Sequence, residues 1–418
     1  MANSGTILLI EDSSMITKVL RHLMKQELNL PCDSVGTFAE TQQRLDQRSE
    51  DYFVAIVDLH LPDAPHGEVL DAVIKAGVPA IVLTATFDEG RREDILNKPI
   101  VDYVVKEGRH SYRYVARLIQ RLERNQRIKV LVADDSETSR NYIRNLLRNH
   151  LYQVYTAADG REALQCIQHD PAIKLLIVDY HMPEMDGVEL IRLLRHKYKY
   201  DDLVIIGLSG HGHASLSARF IKNGANDFLI KPFSQEEFHC RIMQNIEVLE
   251  TRLRLHELAI RDHLTGLYNR RHLFEVCGEQ YLEARRHLNP FTVAVVDIDH
   301  FKSINDSYGH EVGDRVIALV ADRMQAYFSG SFVARLGGEE FGVVFAERSL
   351  DAVRGELDAF REEMASKGVE LTDYSLGITV SIGATDDYGD TFNDMIKRAD
   401  ELLYASKEGG RNQLTLIE

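Results

Sequence analysis

Short apolar runs alternate with amphipathic stretches along the first 230 or so residues of the chain. Ile7–Ile10, Ala55–Val57, Ile81–Leu83, Val130–Ala133, Leu176–Val178 and Ile205–Leu208 are each only a few residues long and rich in Val, Ile and Leu. Unbroken runs of that length predict strands buried on both faces. Between them, Ser13–Glu27 and Thr138–Asn149 place apolar residues at helical spacing. Strand and helix in alternation predict a parallel, doubly wound sheet. The pattern also repeats. Ile7–Asp12 returns as Val130–Asp135, Ala55–Asp58 as Leu176–Asp179, Ile81–Thr84 as Ile205–Ser209, and Tyr103–Lys106 as Phe228–Lys231. Four landmarks in one order predict two successive domains of one α/β fold.

Beyond the repeats the periodicity changes. Gln235–Ile260 contains neither Gly nor Pro and predicts one long helix. Ile242, Ile246, Leu249, Leu253, His256 and Ile260 follow a 4-3-4 type of spacing, which suits either an amphipathic helix lying on its own domain or a dimer-forming stalk. Further on, Phe291–Asp297 predicts an apolar strand, and Phe332–Phe345 a hairpin turning at Gly337-Gly338, since both glycines can take positive φ. Ile378–Ile382 predicts another strand, followed by a helix through Lys407 that Gly409 and Gly410 terminate. The predicted organisation is an α/β domain at 1–125, a second at 126–248, a helical linker at 249–261, and a C-terminal α/β domain at 262–418.

Composition narrows the classes of function. The 418 residues are 44% hydrophobic and 27% charged, as expected of folded soluble domains. A formal net charge of −16 argues against a protein that coats nucleic acid or an anionic membrane. Cys32, Cys166, Cys240 and Cys277 lie far apart, with no Cys-x-x-Cys pair, so neither a zinc site nor a disulfide framework is expected. There is no basic region leading into an apolar stretch at Met1–Leu9 and no run of about 18 apolar residues. A cytoplasmic location is therefore expected.

The chemistry lies at strand ends. In a doubly wound sheet the loops after the carboxyl ends of the strands gather at one edge. In the second repeat this brings together Asp134, Asp135, Asp179, Ser209 and Lys231. Such a set can accept a phosphoryl group: carboxylates bind Mg²⁺, one carboxylate, Asp179, is the acceptor, and the hydroxyl and lysine contact the phosphoryl oxygens. These residues resemble the receiver domains of bacterial response regulators, over approximately Lys129 to Glu250. By extension, Glu11, Asp12, Asp58, Thr84 and Lys106 match the same pattern, with Asp58 as acceptor. Lys106 rather than Lys98 is the matching lysine, because it follows Thr84 by 22 residues, as Lys231 follows Ser209. The first repeat departs in having Glu107 rather than Pro after that lysine, and 26 residues rather than 30 from the acceptor to the hydroxyl.

In the last domain, Asp297 ends an apolar strand and Glu339 and Glu340 follow the glycine turn, so carboxylates and exposed backbone could hold Mg²⁺ and a nucleotide triphosphate. The segments Asp262–Leu267 with Asn269–Arg271, Asp297–Asp306, Gly309-His310, Gly313-Asp314, Gly337–Phe341, Ser381–Gly383 and Lys407–Asn412 resemble the GGDEF family of diguanylate cyclases. The chain as a whole resembles a response regulator diguanylate cyclase of the PleD type, with two receivers ahead of the cyclase. The resemblance implies that Asp297, the Ile298 carbonyl and Glu339 bind Mg²⁺ (or Mn²⁺), with Glu340 assisting catalysis. It implies that Lys407 and Arg411 grip phosphates, that Asn305 and Asp314 read guanine, and that Lys302 and His310 contact substrate. A carboxylate accepts hydrogen bonds from guanine N1–H and N2–H₂ but would face a lone pair on adenine, so GTP is the expected substrate.

The implied reaction condenses two GTP across a homodimer, under control of a histidine kinase or phosphotransfer protein. The family's inhibitory Arg-x-x-Asp is replaced by Phe328 and Ser331, so product inhibition there is expected to be absent or weak, and Leu336 stands where an aromatic residue is common. A GTP-sensing adaptor without turnover is weighed against by Asp297, Glu339 and Glu340, and a different cyclic dinucleotide by Asp314. A DNA-binding regulator is disfavoured by the acidic chain and the lack of a basic recognition helix.

Overall fold

The computed structural model describes residues 5–85, 89–210, 214–370 and 375–417. The chain divides into two compact units, Met1–Arg252 and Leu253–Glu418.

The first unit holds two α/β domains of one topology. The first runs β1 (Thr6–Ile10), α1 (Ser14–Glu27), β2 (Cys32–Val35), α2 (Phe38–Arg48), β3 (Tyr52–Val57), α3 (Glu68–Lys75), β4 (Ala80–Thr84), α4 (Glu89–Leu96), β5 (Asp102–Val105) and α5 (Arg109–Asn125). The second runs β6 (Lys129–Ala133), α6 (Glu137–Asn149), β7 (Gln153–Ala157), α7 (Gly160–His169), β8 (Ile173–Asp179), α8 (Gly187–Lys197), β9 (Val204–Ser209), α9 (Ala214–Lys222), β10 (Asp227–Ile230) and α10 (Gln235–Ile260). The sheets have the corresponding orders β2-β1-β3-β4-β5 and β7-β6-β8-β9-β10, and every pairing is parallel. Helices cover both faces, so the central strands are buried throughout, which is why their sequences are apolar without alternation. The predicted doubly wound architecture is therefore present in both repeats. Ser13 and Ser136 cap the first helix of each domain, accepting hydrogen bonds from the Ile16 and Ser139 amides.

The seam read along α10 divides between two environments. Ile242, Ile246 and Leu249 are buried with Phe238 in the core of the second α/β domain, whereas Leu253 and His256 are exposed. The first part of the helix thus covers its own sheet. The 4-3 spacing could not separate the two readings because both require one apolar stripe.

The two α/β domains touch through α5 and α10. Arg121 makes a two-pronged ion pair with Glu250 at 2.8 and 2.7 Å and donates to Asn125 Oδ1 at 2.7 Å. Asn125 in turn donates to the His150 carbonyl at 2.9 Å. The His150 ring stacks on His239 with centroids 3.5 Å apart, and its Nε2–H donates to the Val101 carbonyl at 2.9 Å. Beside this stack lies a cavity of about 600 Å³ whose lining includes Tyr114, His150, His239 and Met243.

The second unit is built on a six-stranded mixed sheet. Its elements are β11 (Tyr268–Asn269), α11 (Arg270–His287), β12 (Phe291–Ile298), α12 (Phe301–Tyr308), α13 (His310–Tyr327), β13 (Phe332–Gly337), β14 (Glu340–Ala346), α14 (Leu350–Lys367), β15 (Val369–Glu370), β16 (Ser375–Leu376), β17 (Val380–Thr385), α15 (Phe392–Glu408) and β18 (Leu414–Ile417). The strand order is β11-β13-β14-β12-β17-β18, so β12 lies inside the sheet, antiparallel to both β14 and β17. The predicted hairpin is β13–β14, with Gly337 and Gly338 at φ +149° and +54°, and the predicted last strand forms two residues later, at Val380. Among the described residues no helix is long and apolar enough to cross a membrane.

Candidate functional site

Three acidic clusters form where strands end. In the second α/β domain, Lys231 Nζ reaches Asp134 Oδ2 and Asp179 Oδ1, both at 2.6 Å, and Ser139 Oγ at 3.1 Å. Asp134 and Asp179 are buried, and Asp135 is exposed next to them in sequence. Burial pushes the Asp179 carboxyl up against the pull of Lys231. Burial would lower the Lys231 ammonium, but its bonds to Asp134 and Asp179 outweigh that and hold it above its usual value. Ser209 is buried at the end of β9, whose Leu208 pairs with Asp179. Gly187 lies so close that a Cβ there would sit 2.3 Å from the Asp179 carbonyl, so only glycine lets α8 start against the strand end.

The first domain builds the same arrangement. Lys106 Nζ reaches Glu11 Oε2 at 2.7 Å and Asp58 Oδ2 at 2.5 Å, while Lys98 pairs with Asp71 instead. Thr84 is buried at the end of β4. Glu11, Asp12 and Asp58 each offer a carboxylate oxygen within 4.8 Å of one another, a donor set suited to a hard divalent cation. Burial raises the Glu11 carboxyl more than Lys106 lowers it.

In the second unit Asp297 is buried at the end of β12, and Lys407 from α15 meets its Oδ2 at 2.8 Å. Burial pushes the Asp297 carboxyl up to about 6; Lys407 pulls the other way, and the Glu339 and Glu340 charges add to the rise. Glu340 is raised as well, by burial and then by Asp400. The Ile298 amide donates to the Glu339 carbonyl at 3.4 Å, fastening the strand end to the glycine turn. Three carboxylates against one lysine, with the Ile298 carbonyl adjacent, are the oxygen donors a Mg²⁺ or Mn²⁺ ion takes.

Asn305, on α12, has its side-chain oxygen buried without a hydrogen-bond partner, and Gly313 lies against it, where a Cβ would come within 1.9 Å of that oxygen. An unsatisfied buried acceptor is costly unless a ligand supplies a donor. Asp314, the residue after Gly313, is exposed, as are Lys302, His310 and Arg411.

Asp262 and Asp299 lie in the motif segments, but the contacts they make were not evident from motif spacing. Arg335 pairs with Asp262 at 2.9 Å and donates through Nε and Nη2 to the Gly338 carbonyl at 3.1 and 2.7 Å. Burial would raise Asp262, but bonds from Arg335 and Thr265 overcome it and hold the carboxyl below its usual range. Asp299, also buried, accepts from the Thr379 and Ser381 hydroxyls, both at 2.7 Å, and from the Asn412 amide at 3.0 Å. Hydroxyl residues at 379 and 381 in an otherwise apolar stretch were the available signal for this contact.

The pattern of the diguanylate cyclase GGDEF domain matches residues 259–413, which contain all of this last cluster, and that of the response regulator receiver domain matches 130–243. The chain belongs to the GGDEF family of diguanylate cyclases. Response regulator PleD of Caulobacter vibrioides is 29% identical over 386 residues, covering 80% of this chain and 82% of PleD. Diguanylate cyclase DgcP of Pseudomonas aeruginosa is 38% identical over 158 residues, 37% of this chain and 24% of DgcP. A crystal structure of a two-component system response regulator/GGDEF domain protein is 44% identical with a TM-score of 0.54, covering 59% of this chain and 99% of its own. This GGDEF chain is a PleD-like response regulator, with a receiver domain ahead of its cyclase domain. Within the GGDEF domain Phe328, at the position where the resemblance leads one to expect the family's inhibitory arginine, is buried in the core against Phe345 and Phe360.

Proposed function

We propose that this response regulator condenses two GTP into cyclic di-GMP and two pyrophosphates, as a homodimer in the cytoplasm, when its receivers are phosphorylated. The observation that carries the reading is the Asp297–Lys407 pair facing Glu339 and Glu340 beside the Gly337-Gly338 turn. Asp297, the Ile298 carbonyl and Glu339 would hold Mg²⁺ or Mn²⁺, which supplies charge neutralisation at the triphosphate and lowers the pKa of a bound hydroxyl.

Lys407 and Arg411 hold the outer phosphates, Asn305 and Asp314 take the N1–H and N2–H₂ of guanine, and Lys302 and His310 line the same substrate. The 3′-oxygen of one GTP bonds to the α-phosphorus of the other, the bond to pyrophosphate breaks, and the hydroxyl proton leaves to a carboxylate, for which the raised Glu340 is suited. Two such transfers close the ring, so two copies of the domain must face each other.

Asp179 takes the phosphoryl group from a histidine kinase or phosphotransfer protein, with Ser209 and Lys231 on the phosphoryl oxygens, and Asp134 and Asp135 would hold a Mg²⁺ that neutralises charge there. The gathered Glu11, Asp12 and Asp58 favour the same chemistry in the first domain, with Thr84 and Lys106 in the matching roles. Incubating the full chain with GTP and Mg²⁺, with and without beryllofluoride, should give cyclic di-GMP by mass spectrometry, more of it with the mimic. Folded protein that binds GTP yet forms no product in either arm would end the enzyme reading. Asp179→Asn should remove most of the activation; unchanged activation would move the control to Asp58.

A further inference from the structure

The segment between α15 and β18 has an unusual backbone. Arg411 and Asn412 are consecutive non-glycine residues in the left-handed region, at φ +66° and +47°. A side chain on Cβ disfavours that conformation, for arginine more than for asparagine. It is held from two sides. Asp299 accepts the Asn412 amide, and Arg361 on α14 donates to the Asn412 carbonyl at 3.2 Å and to its side-chain oxygen at 3.0 Å. Asp299 is itself fixed by the Thr379 and Ser381 hydroxyls, and its own amide donates to the Thr379 carbonyl at 3.0 Å. It follows Asp297 by two residues, so one buried carboxylate joins the strand end carrying Asp297 and Ile298 to the residue next to Arg411.

We propose that Asp299 is a positioning residue: by fixing the Asn412 amide it keeps the 411–412 backbone left-handed, so that Arg411 acts with Lys407 on the triphosphate. This rests on the reading of Lys407 and Arg411 as the phosphate grip. Without the carboxylate, residues 411–412 relax toward ordinary backbone and the Arg411 Cα–Cβ direction swings away. The fold does not depend on that choice, because β18 remains paired to β17 from Leu414 onward.

The test uses the full chain with Mg²⁺ and the non-reacting analogue guanosine 5′-(α,β-methylene)triphosphate, read by calorimetric titration. Arg411→Ala should weaken binding roughly tenfold, the scale of one lost charge-assisted contact, and Asp299→Ala, which leaves no acceptor for the Asn412 amide, should weaken it by a similar factor. The Asp299→Ala, Arg411→Ala double variant should bind no more weakly than Arg411→Ala alone, since both changes remove the same contact. If Asp299→Ala binds as the parent, or repeats its full loss on the Arg411→Ala background, the positioning role is overturned. If Arg411→Ala binds as the parent, the phosphate grip fails first and the inference falls with it. A second pair, Asn412→Gly and Asn412→Val, decides the matter should Asp299→Ala not fold. Glycine keeps the amide and takes positive φ freely, so binding should stay within about twofold; valine resists positive φ and should show the roughly tenfold loss. Equal binding by both would refute the conformational role.

Discussion

Burial raises the Asp297 carboxyl to about 6, at the place where the proposed function puts a divalent cation. Its pKa is higher in the folded protein than the usual 3.8, so without metal the folded state holds the proton more tightly. The stabilisation is full below about pH 4 and is lost as pH rises through 6, to an extent of roughly 3 kcal/mol. In metal-free protein, Asp297→Asn should therefore gain stability relative to the parent between pH 4.5 and 7 in urea unfolding; a constant difference would mean that the carboxyl is not raised. Cation binding has the opposite sign, because the ion must displace the proton. Mg²⁺ affinity should climb by up to about tenfold per pH unit below 6 and level off above it. The sequence pointed to Asp297 and Glu339, to Lys407 through the family resemblance, and to Asp262 as the start of a matching segment, but not to the pairing of Asp262 with Arg335, which meet across 73 residues of chain. That pairing depends on the β13–β14 register and on the turn before β11, neither of which is visible as periodicity.

Among the elements, the junction of α12 and α13 sets two physical effects against each other. Replacing Gly313 with alanine should favour α13 by up to about 1 kcal/mol from helix propensity alone. The new Cβ would, however, meet the Asn305 side-chain oxygen at 1.9 Å. Displacement wins at that distance, so Gly313→Ala should weaken GTP binding roughly tenfold with little loss of thermal stability; unaltered affinity would remove Asn305 from the guanine contact. The parallel strands were legible because burial on both faces leaves continuous Val, Ile and Leu, as in Leu175–Val178. The stripe along α10 was less so. Ile242, Ile246 and Leu249 cover a sheet, Leu253 does not, and the same spacing serves either purpose. The cyclase hairpin was legible for a local reason, two successive glycines between apolar runs.

For the molecule as a whole, the first unit carries an acid-sensitive joint between its two α/β domains. Burial holds His150 down at about 4 and His239 well below its usual value. The unfolded chain takes up these protons near pH 6.5, whereas the folded one resists them. Stability is therefore unaffected above about 6.5 and falls as pH drops toward 4, by up to roughly 3 kcal/mol for His150. Urea unfolding followed by a probe in residues 1–252 should show this slope, and His150→Gln, which retains an N–H for the Val101 carbonyl, should flatten it; an unchanged slope would place the titration elsewhere.

The lysine–carboxylate clusters also share one charge count. Glu11, Asp12 and Asp58 face Lys106; Asp134 and Asp179, with Asp135 beside them, face Lys231; Asp297, Glu339 and Glu340 face Lys407. With every carboxyl ionised, each set carries two net negative charges, the amount one divalent cation cancels. In the proposed function, receiving a phosphoryl group and using GTP would both draw on the same pool of free divalent cation. A shortage would close the input and output of the signal together, so chelation alone could silence the protein without altering its kinase, its nucleotide or its fold.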